Sequence, residues 1–121
     1  MAIRKTSSTN YLNQSLLENK CPLNELLFLM SRRWMTDILF CIEEENNRFS
    51  GIKEELDTIS DHILSDRLRL LESAGLIRRR IYHEVPLKVR YSLTITGKEL
   101  CGLLDHLCTF ASSSWLKEVE N

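Results

Sequence analysis

From Ile59 to Leu100 the chain reads ISDHILSDRLRLLESAGLIRRRIYHEVPLKVRYSLTITGKEL, and its hydrophobic period changes twice within that stretch. Ile63, Leu64, Leu68, Leu70, Leu71 and Ala74 fall in one broad arc at about 100° per residue, which predicts an amphipathic helix. Ser60 can cap its start, and Gly75 offers the left-handed residue that stops it. Next, Leu76 to Tyr82 and Lys88 to Leu93, rich in β-branched and aromatic residues, flank a loop holding Glu84 and Pro86, the pattern of a two-stranded hairpin. Helical spacing then returns, with Thr96 and Glu99 fitting a capping box and Leu100, Leu103, Leu104, Leu107, Ala111 and Trp115 on one apolar face. Helix, hairpin and helix in so short a span leave few ways to bury these faces together.

Upstream, Pro22 suits the first turn of a helix whose Leu23, Leu26, Leu27 and Met30 form one stripe, expected to be buried. Trp34, Ile38, Cys41 and Ile42 repeat the pattern in a second helix that ends at the polar run Glu43 to Arg48. Ser50 can cap a short helix carrying Ile52 and Leu56, and Asp57 and Thr58 make a tight turn into the helix capped by Ser60. Two helices so joined have helix-turn-helix spacing. The expected fold is therefore mainly α (α+β), a winged helix-turn-helix with a two-stranded β-wing and terminal dimerisation helices. Residues 1–19 are expected to form a flexible arm or short helix, 20–94 the DNA-binding domain and 95–121 the dimerisation helix. The last apolar face exceeds what one small domain needs, so a homodimer partner is its natural cover.

A formal charge of −1 hides an uneven distribution. Between Leu76 and Leu93, five basic residues stand against one acid, giving +4 there and −5 elsewhere. A local stripe of this kind, rather than the total, is what meets phosphates. The first twenty residues hold no apolar run that suggests a signal peptide or membrane span, so a cytoplasmic protein with no membrane partner is expected. The four cysteines include no C-x-x-C pair. Cys101 and Cys108 share a helix face, expected near the dimer seam, while His106 points about 140° from Cys101. That divergence argues against zinc, and neither a metal, a cofactor nor a catalytic residue is expected.

Taken in order, Cys21-Pro22, Trp34, Arg48-Phe49-Ser50, Ile59-Ser60, Leu64-Ser65-x-Arg67-Leu68-Arg69-x-Leu71, Gly75-Leu76, Tyr82-x-Glu84-Val85-Pro86 and Val89-x-Tyr91-Ser92-Leu93-Thr94-x-x-Gly97 resemble the HxlR-type transcriptional regulators. That winged helix-turn-helix family is related in architecture to the MarR regulators, and the resemblance runs from Cys21 to Trp115. It implies a homodimer on double-stranded DNA with a near-palindromic operator, one helix per subunit in successive major grooves, wings on the flanking backbone, and terminal helices at the dimer interface. The chain departs from the family pattern at Ser31, Arg32 and Arg33, where relatives often carry two glycines and a lysine, and at Arg90, where an acid is usual.

On the recognition helix, Ser60, His62, Ser65, Asp66 and Arg69 are the candidates for DNA contact, with Arg69 the best suited to guanine. Arg67, nearer the apolar arc, is expected to pair with an acid or reach a phosphate. On the wing, Lys88 and Arg90 with Arg78 or Arg80 are expected at the backbone, since strand residues alternate faces. Arg32 and Arg33 can clamp a phosphate at the start of the second helix. Cys21, at a helix N-terminus, is the candidate sensor for a small reactive effector such as an oxidant, electrophile or aldehyde, set against an ordinary packing role. Two alternatives stay open: a winged-helix module that binds protein rather than DNA, and a thiol redox enzyme built on Cys21.

Overall fold

The computed structural model describes residues 21–116. They divide into two compact units, one ending at Arg33 and one beginning at Trp34. The arm expected over residues 1–19 lies outside the described residues.

The first unit contributes helix α1, Pro22–Met30. Cys21 is its N-cap and Pro22 its first residue, as the sequence suggested, and the Asn24 and Glu25 amides donate to the Cys21 carbonyl. Its apolar stripe is not buried: Leu23 and Leu27 are exposed, and Leu26 and Met30 are half-buried. Periodicity marks which face of a helix is apolar, whereas burial also needs a surface laid against that face.

The second unit runs α2 (Met35–Glu43), α3 (Phe49–Leu56), α4 (Asp61–Ser73), β1 (Ile77–Tyr82), β2 (Lys88–Leu93) and α5 (Ile95–Phe110), followed by a π-helical turn at Ala111–Trp115. Helix α2 is central, packing against α3, α4, β2 and α5. Its Met35, Ile38, Leu39, Cys41 and Ile42 join Ile52, Ile59, Leu64, Leu68, Leu71, Leu76 and Ile77 in the core. Trp34, the residue before α2, has a left-handed backbone (φ 79°), a conformation a bulky side chain seldom adopts.

Helix α3 starts one residue before Ser50. Arg48 is its N-cap, the Ile52 amide already donates to the Arg48 carbonyl, and no side chain caps it, so the cap expected at Ser50 is corrected. Lys53 then joins the two helices of the motif: its Nζ donates to the Ile59 carbonyl (2.9 Å) and lies 3.4 Å from the Asp61 carboxylate. Buried Ile59 anchors the turn between them.

At the end of α4, Gly75 (φ 76°) takes the left-handed cap. Its amide donates to the Glu72 carbonyl and that of Leu76 to the Leu71 carbonyl, a Schellman closure that brings buried Leu71 and Leu76 together. Ala74, placed by periodicity in the apolar arc, is exposed because the helix has ended there.

The cap of α5 is Thr94, not Thr96. Thr94 Oγ1 accepts from the Gly97 amide (3.0 Å) and donates to the Gly75 carbonyl (2.7 Å), clasping the end of α4 to the start of α5. Gly97 is buried, and a β-carbon there would collide with the Leu76 carbonyl oxygen, whereas Gly102 faces open space. Gly97→Ala should therefore destabilise the fold by about 1 to 3 kcal/mol or more. Gly102→Ala should stabilise it by about 0.5 to 1 kcal/mol, and urea titrations of the pair check both signs.

Only the first half of α5 belongs to the core. Gly97, Leu100 and Cys101 are buried, while from Gly102 to Leu116 no described residue is fully buried. This corrects the expected placement of Cys101 at a dimer seam: it shares a helix side with Cys108, but the helix leaves the core between them, and Cys108 is exposed.

Burial, reinforced by nearby carboxylates, pushes the Cys41 and Cys101 thiols from 9.0 up to about 11. The protonated form is thus favoured in the folded chain. Its contribution to stability should be whole below pH 9 and fall as pH rises through about 11, because the unfolded chain releases those protons first. Melting temperatures between pH 8 and 11 should decline, and less so in Cys41→Ala/Cys101→Ala. An alkylating reagent at pH 8 should label Cys108 and Cys21 ahead of the buried pair.

Candidate nucleic-acid interface

Antiparallel pairing sets which wing side chains share a face. Partners across the ladder are Arg78 with Ser92, Arg80 with Arg90 and Tyr82 with Lys88, alternating with Ile77–Leu93, Arg79–Tyr91 and Ile81–Val89. Since partners in such a ladder point to the same side, Arg78, Arg80, Arg90 and Lys88 share one face, and buried Ile77 and Tyr91 lie on the other. Arg79 belongs to that second face and approaches Glu72 of α4 (4.0 Å).

The basic face is arranged around an aromatic ring. The guanidinium carbons of Arg80 and Arg90 lie 6.0 and 5.9 Å from the Tyr82 ring centroid. Like charges directly across a ladder repel, and the ring's negative π-face offsets part of that cost. Lys88 is 3.5 Å from Glu84 at the wing tip. Arg78, Arg80, Tyr82 and Arg90 line a cleft of about 290 Å³ together with Asn47, Tyr91 and Ser92. The Asn47 carbonyl accepts from the Tyr91 amide (2.9 Å), so the loop after α2 occupies the outer edge of β2. Sequence reading passed over Tyr82 and Asn47. Period-two spacing from Arg80 would have found Tyr82; nothing local marks Asn47.

On α4, Ser60 caps the helix by accepting from the Ile63 amide (3.1 Å). His62, Ser65 and Arg69 are exposed, as the helical arc predicted, and Asp66 is partly covered. The Asp66 carboxylate accepts from Arg69 Nη2 (2.8 Å) through Oδ1 and from Arg67 Nη1 (2.6 Å) through Oδ2. Partial burial acts in the opposite sense, but the hydrogen bonds from Arg69 and Arg67 hold its carboxyl below the usual carboxylate range. The acid partner expected for Arg67 is thus its own neighbour.

In the first unit, Arg32 and Arg33 are exposed, and the Arg32 guanidinium stacks over Phe28 at 5.5 Å. Cys21 is half-buried and caps α1 through its backbone alone. Of the residues assigned to a dimer face, Leu103, Leu107 and Trp115 are more than half exposed, joined by Phe110, which sequence reading did not include. Leu104 and Ala111 are half-buried, and Leu100 is spent on the chain's own core. Among the described residues no cluster of His, Cys, Asp and Glu could hold a metal, and no helix is long and apolar enough to cross a membrane.

A helix-turn-helix followed by a two-stranded β-wing defines the class: a winged helix-turn-helix protein. The HxlR-like helix-turn-helix family model matches residues 29–120, and the chain belongs to that family. Its relative YvaP, an HTH-type transcriptional regulator of Bacillus subtilis (strain 168), is 34% identical over 106 residues, 87% of this chain and 94% of YvaP. The structure is similar to the reduced form of the transcriptional regulator YodB from B. subtilis (TM-score 0.69, 31% identity, 78% of this chain and 94% of that one). It is also similar to the redox regulator HypR in its oxidised form (TM-score 0.68, 28% identity, 78% and 97%). The chain is a transcriptional regulator of the HxlR/MarR type and not an enzyme.

Proposed function

We propose that the protein is a cytoplasmic homodimer that binds a near-palindromic operator, with α4 of each protomer in the major groove and the wing against the flanking backbone. The observation that carries this reading is the wing register, which gathers Arg78, Arg80, Lys88 and Arg90 on one solvent-facing side. The exposed Leu103, Leu107, Phe110 and Trp115 on and after α5 support the dimer, because they supply the apolar surface that a second copy covers. Half-sites then lie about 34 Å apart, or a multiple of it. Arg32 and Arg33 add backbone contacts. Binding of the purified protein to duplex DNA from upstream of its own gene, with scrambled competitor and a salt series, tests the reading. Tight, salt-dependent, competitor-resistant binding supports it, and failure both there and in a random-sequence selection leaves a protein-binding module instead.

A small reactive effector acts through Cys21 in this reading. Similarity to YodB and to the redox regulator HypR supports a thiol input, and Cys21 is the half-buried cysteine at the N-cap of α1. Mild oxidant should change the operator affinity of the wild type and leave Cys21→Ser unaffected. An oxidant effect that persists in that variant moves the input to Cys108.

A further inference from the structure

An acid on a helix face that meets a polyanion costs affinity unless it has work to do there. Asp66 sits among His62, Ser65 and Arg69, and both its oxygens are occupied: Oδ1 by Arg69 and Oδ2 by Arg67. The two arginines differ in exposure. Arg67 is 15% exposed and faces inward, whereas Arg69 is 67% exposed and reaches outward. Asp66 therefore fixes an outward guanidinium by one of its nitrogens and leaves the remaining donors of the fork available. It also cancels the one formal positive charge of that outward face, so the helix offers phosphates little net attraction. Attraction is concentrated on the wing, where Arg78, Arg80, Lys88 and Arg90 lie together.

We propose that Asp66 is a specificity-determining residue of the DNA-binding helix, holding Arg69 in the orientation that reads a base edge while denying that arginine to phosphates at large. The proposal rests on the DNA-binding reading above and deepens it. In water a free arginine side chain samples many rotamers and pairs with whichever phosphate is near. A guanidinium held in place loses less freedom on meeting a guanine edge, and the acid beside it penalises a phosphate in the same position.

The test compares wild type, Asp66→Asn and Asp61→Asn on two duplexes, one selected by the wild type from random-sequence DNA and one scrambled, across a salt series. Asp61 is a suitable control: it removes one negative charge from the same helix, and its partner is Lys53 of α3 rather than Arg69. For Asp66→Asn, affinity for scrambled DNA should rise, its log–log salt slope should steepen by about 1 to 2 per dimer, and the ratio of specific to scrambled affinity should fall by about fivefold or more. Asp61→Asn should raise both affinities and keep the ratio. An unchanged ratio in Asp66→Asn overturns the proposal, as does an equal fall in both variants, which would make net charge the cause. Parallel weakening on both duplexes with a lowered Tm would mark a structural role and overturns it too. A wild type that enriches no duplex in that selection overturns the DNA-binding reading, and this inference with it.

Discussion

Arg80→Gln combined with Arg90→Gln should weaken binding to every duplex, whatever its sequence, and flatten the salt dependence. The two residues are cross-strand partners on the outward face of the wing, each within 6.0 Å of the Tyr82 ring centroid, so in the proposed complex they should meet the same stretch of DNA backbone. In a dimer the double variant removes four charges. With about 0.9 of log–log slope per phosphate contact, the slope should fall by about 3 to 4, and affinity near 0.15 M salt should drop by up to about a thousandfold. Specificity, expressed as the ratio of operator to scrambled DNA, should hardly move, because phosphate contacts carry little sequence information. The same change should leave the free protein no less stable, since it relieves a like-charge pair across the ladder. Fluorescence anisotropy across a salt series, with a thermal melt of each variant, measures all three quantities. An unchanged slope would remove these arginines from the DNA contact, and Lys88→Gln should then be tested on its own account.

Arg69→Gln should do the reverse. Loss of a bidentate contact to a base costs about 1 to 3 kcal/mol per half-site, or about 2 to 6 kcal/mol for a symmetric operator if the sites add. Binding to scrambled DNA should be almost unaffected, because in the free protein Asp66 already holds the Arg69 charge. Glutamine retains a side-chain amide of similar reach but no charge, so a general electrostatic role would instead lower both affinities together. Competition between operator and scrambled duplex distinguishes the two results. Taken with the wing variant, it separates the residues that supply affinity from those that supply selection.

Much of this arrangement is legible in the chain. The arc of Leu64, Leu68 and Leu71 marks the buried side of α4, Ser60 and Gly75 mark its ends, and the changed period after Gly75 marks the wing. These are local matters: a repeat of 3.6 or 2 residues, a short polar side chain that accepts an amide, a glycine that tolerates positive φ. Alternation along each strand also split Arg79 from Arg78 and Arg80. It could not align the two strands, and the register that sets Arg80 across from Arg90 depends on how the hairpin closes.

Some of the features that sequence reading placed wrongly were decided by contacts made far along the chain. Thr96 with Glu99 makes an acceptable capping box by itself, yet Thr94 caps α5 because the same hydroxyl also reaches Gly75, nineteen residues earlier. Cys101 and Cys108 lie on one side of one helix, and only the point at which α5 leaves the core makes the first buried and the second exposed. The stripe on α1 is real in the sequence, yet none of its residues is fully buried, as no spacing rule can say what will lie against it.

The sequence by itself determined the order and kind of the elements, the helix face that turns outward and the segment that holds the positive charge, since each follows from interactions within a few residues. Tertiary structure alone decided the pairing of Arg80 with Arg90 around Tyr82, the Thr94 clasp between α4 and α5 and the burial of Cys101 with the exposure of Cys108, since these depend on residues brought together from separate elements by the closing of the core.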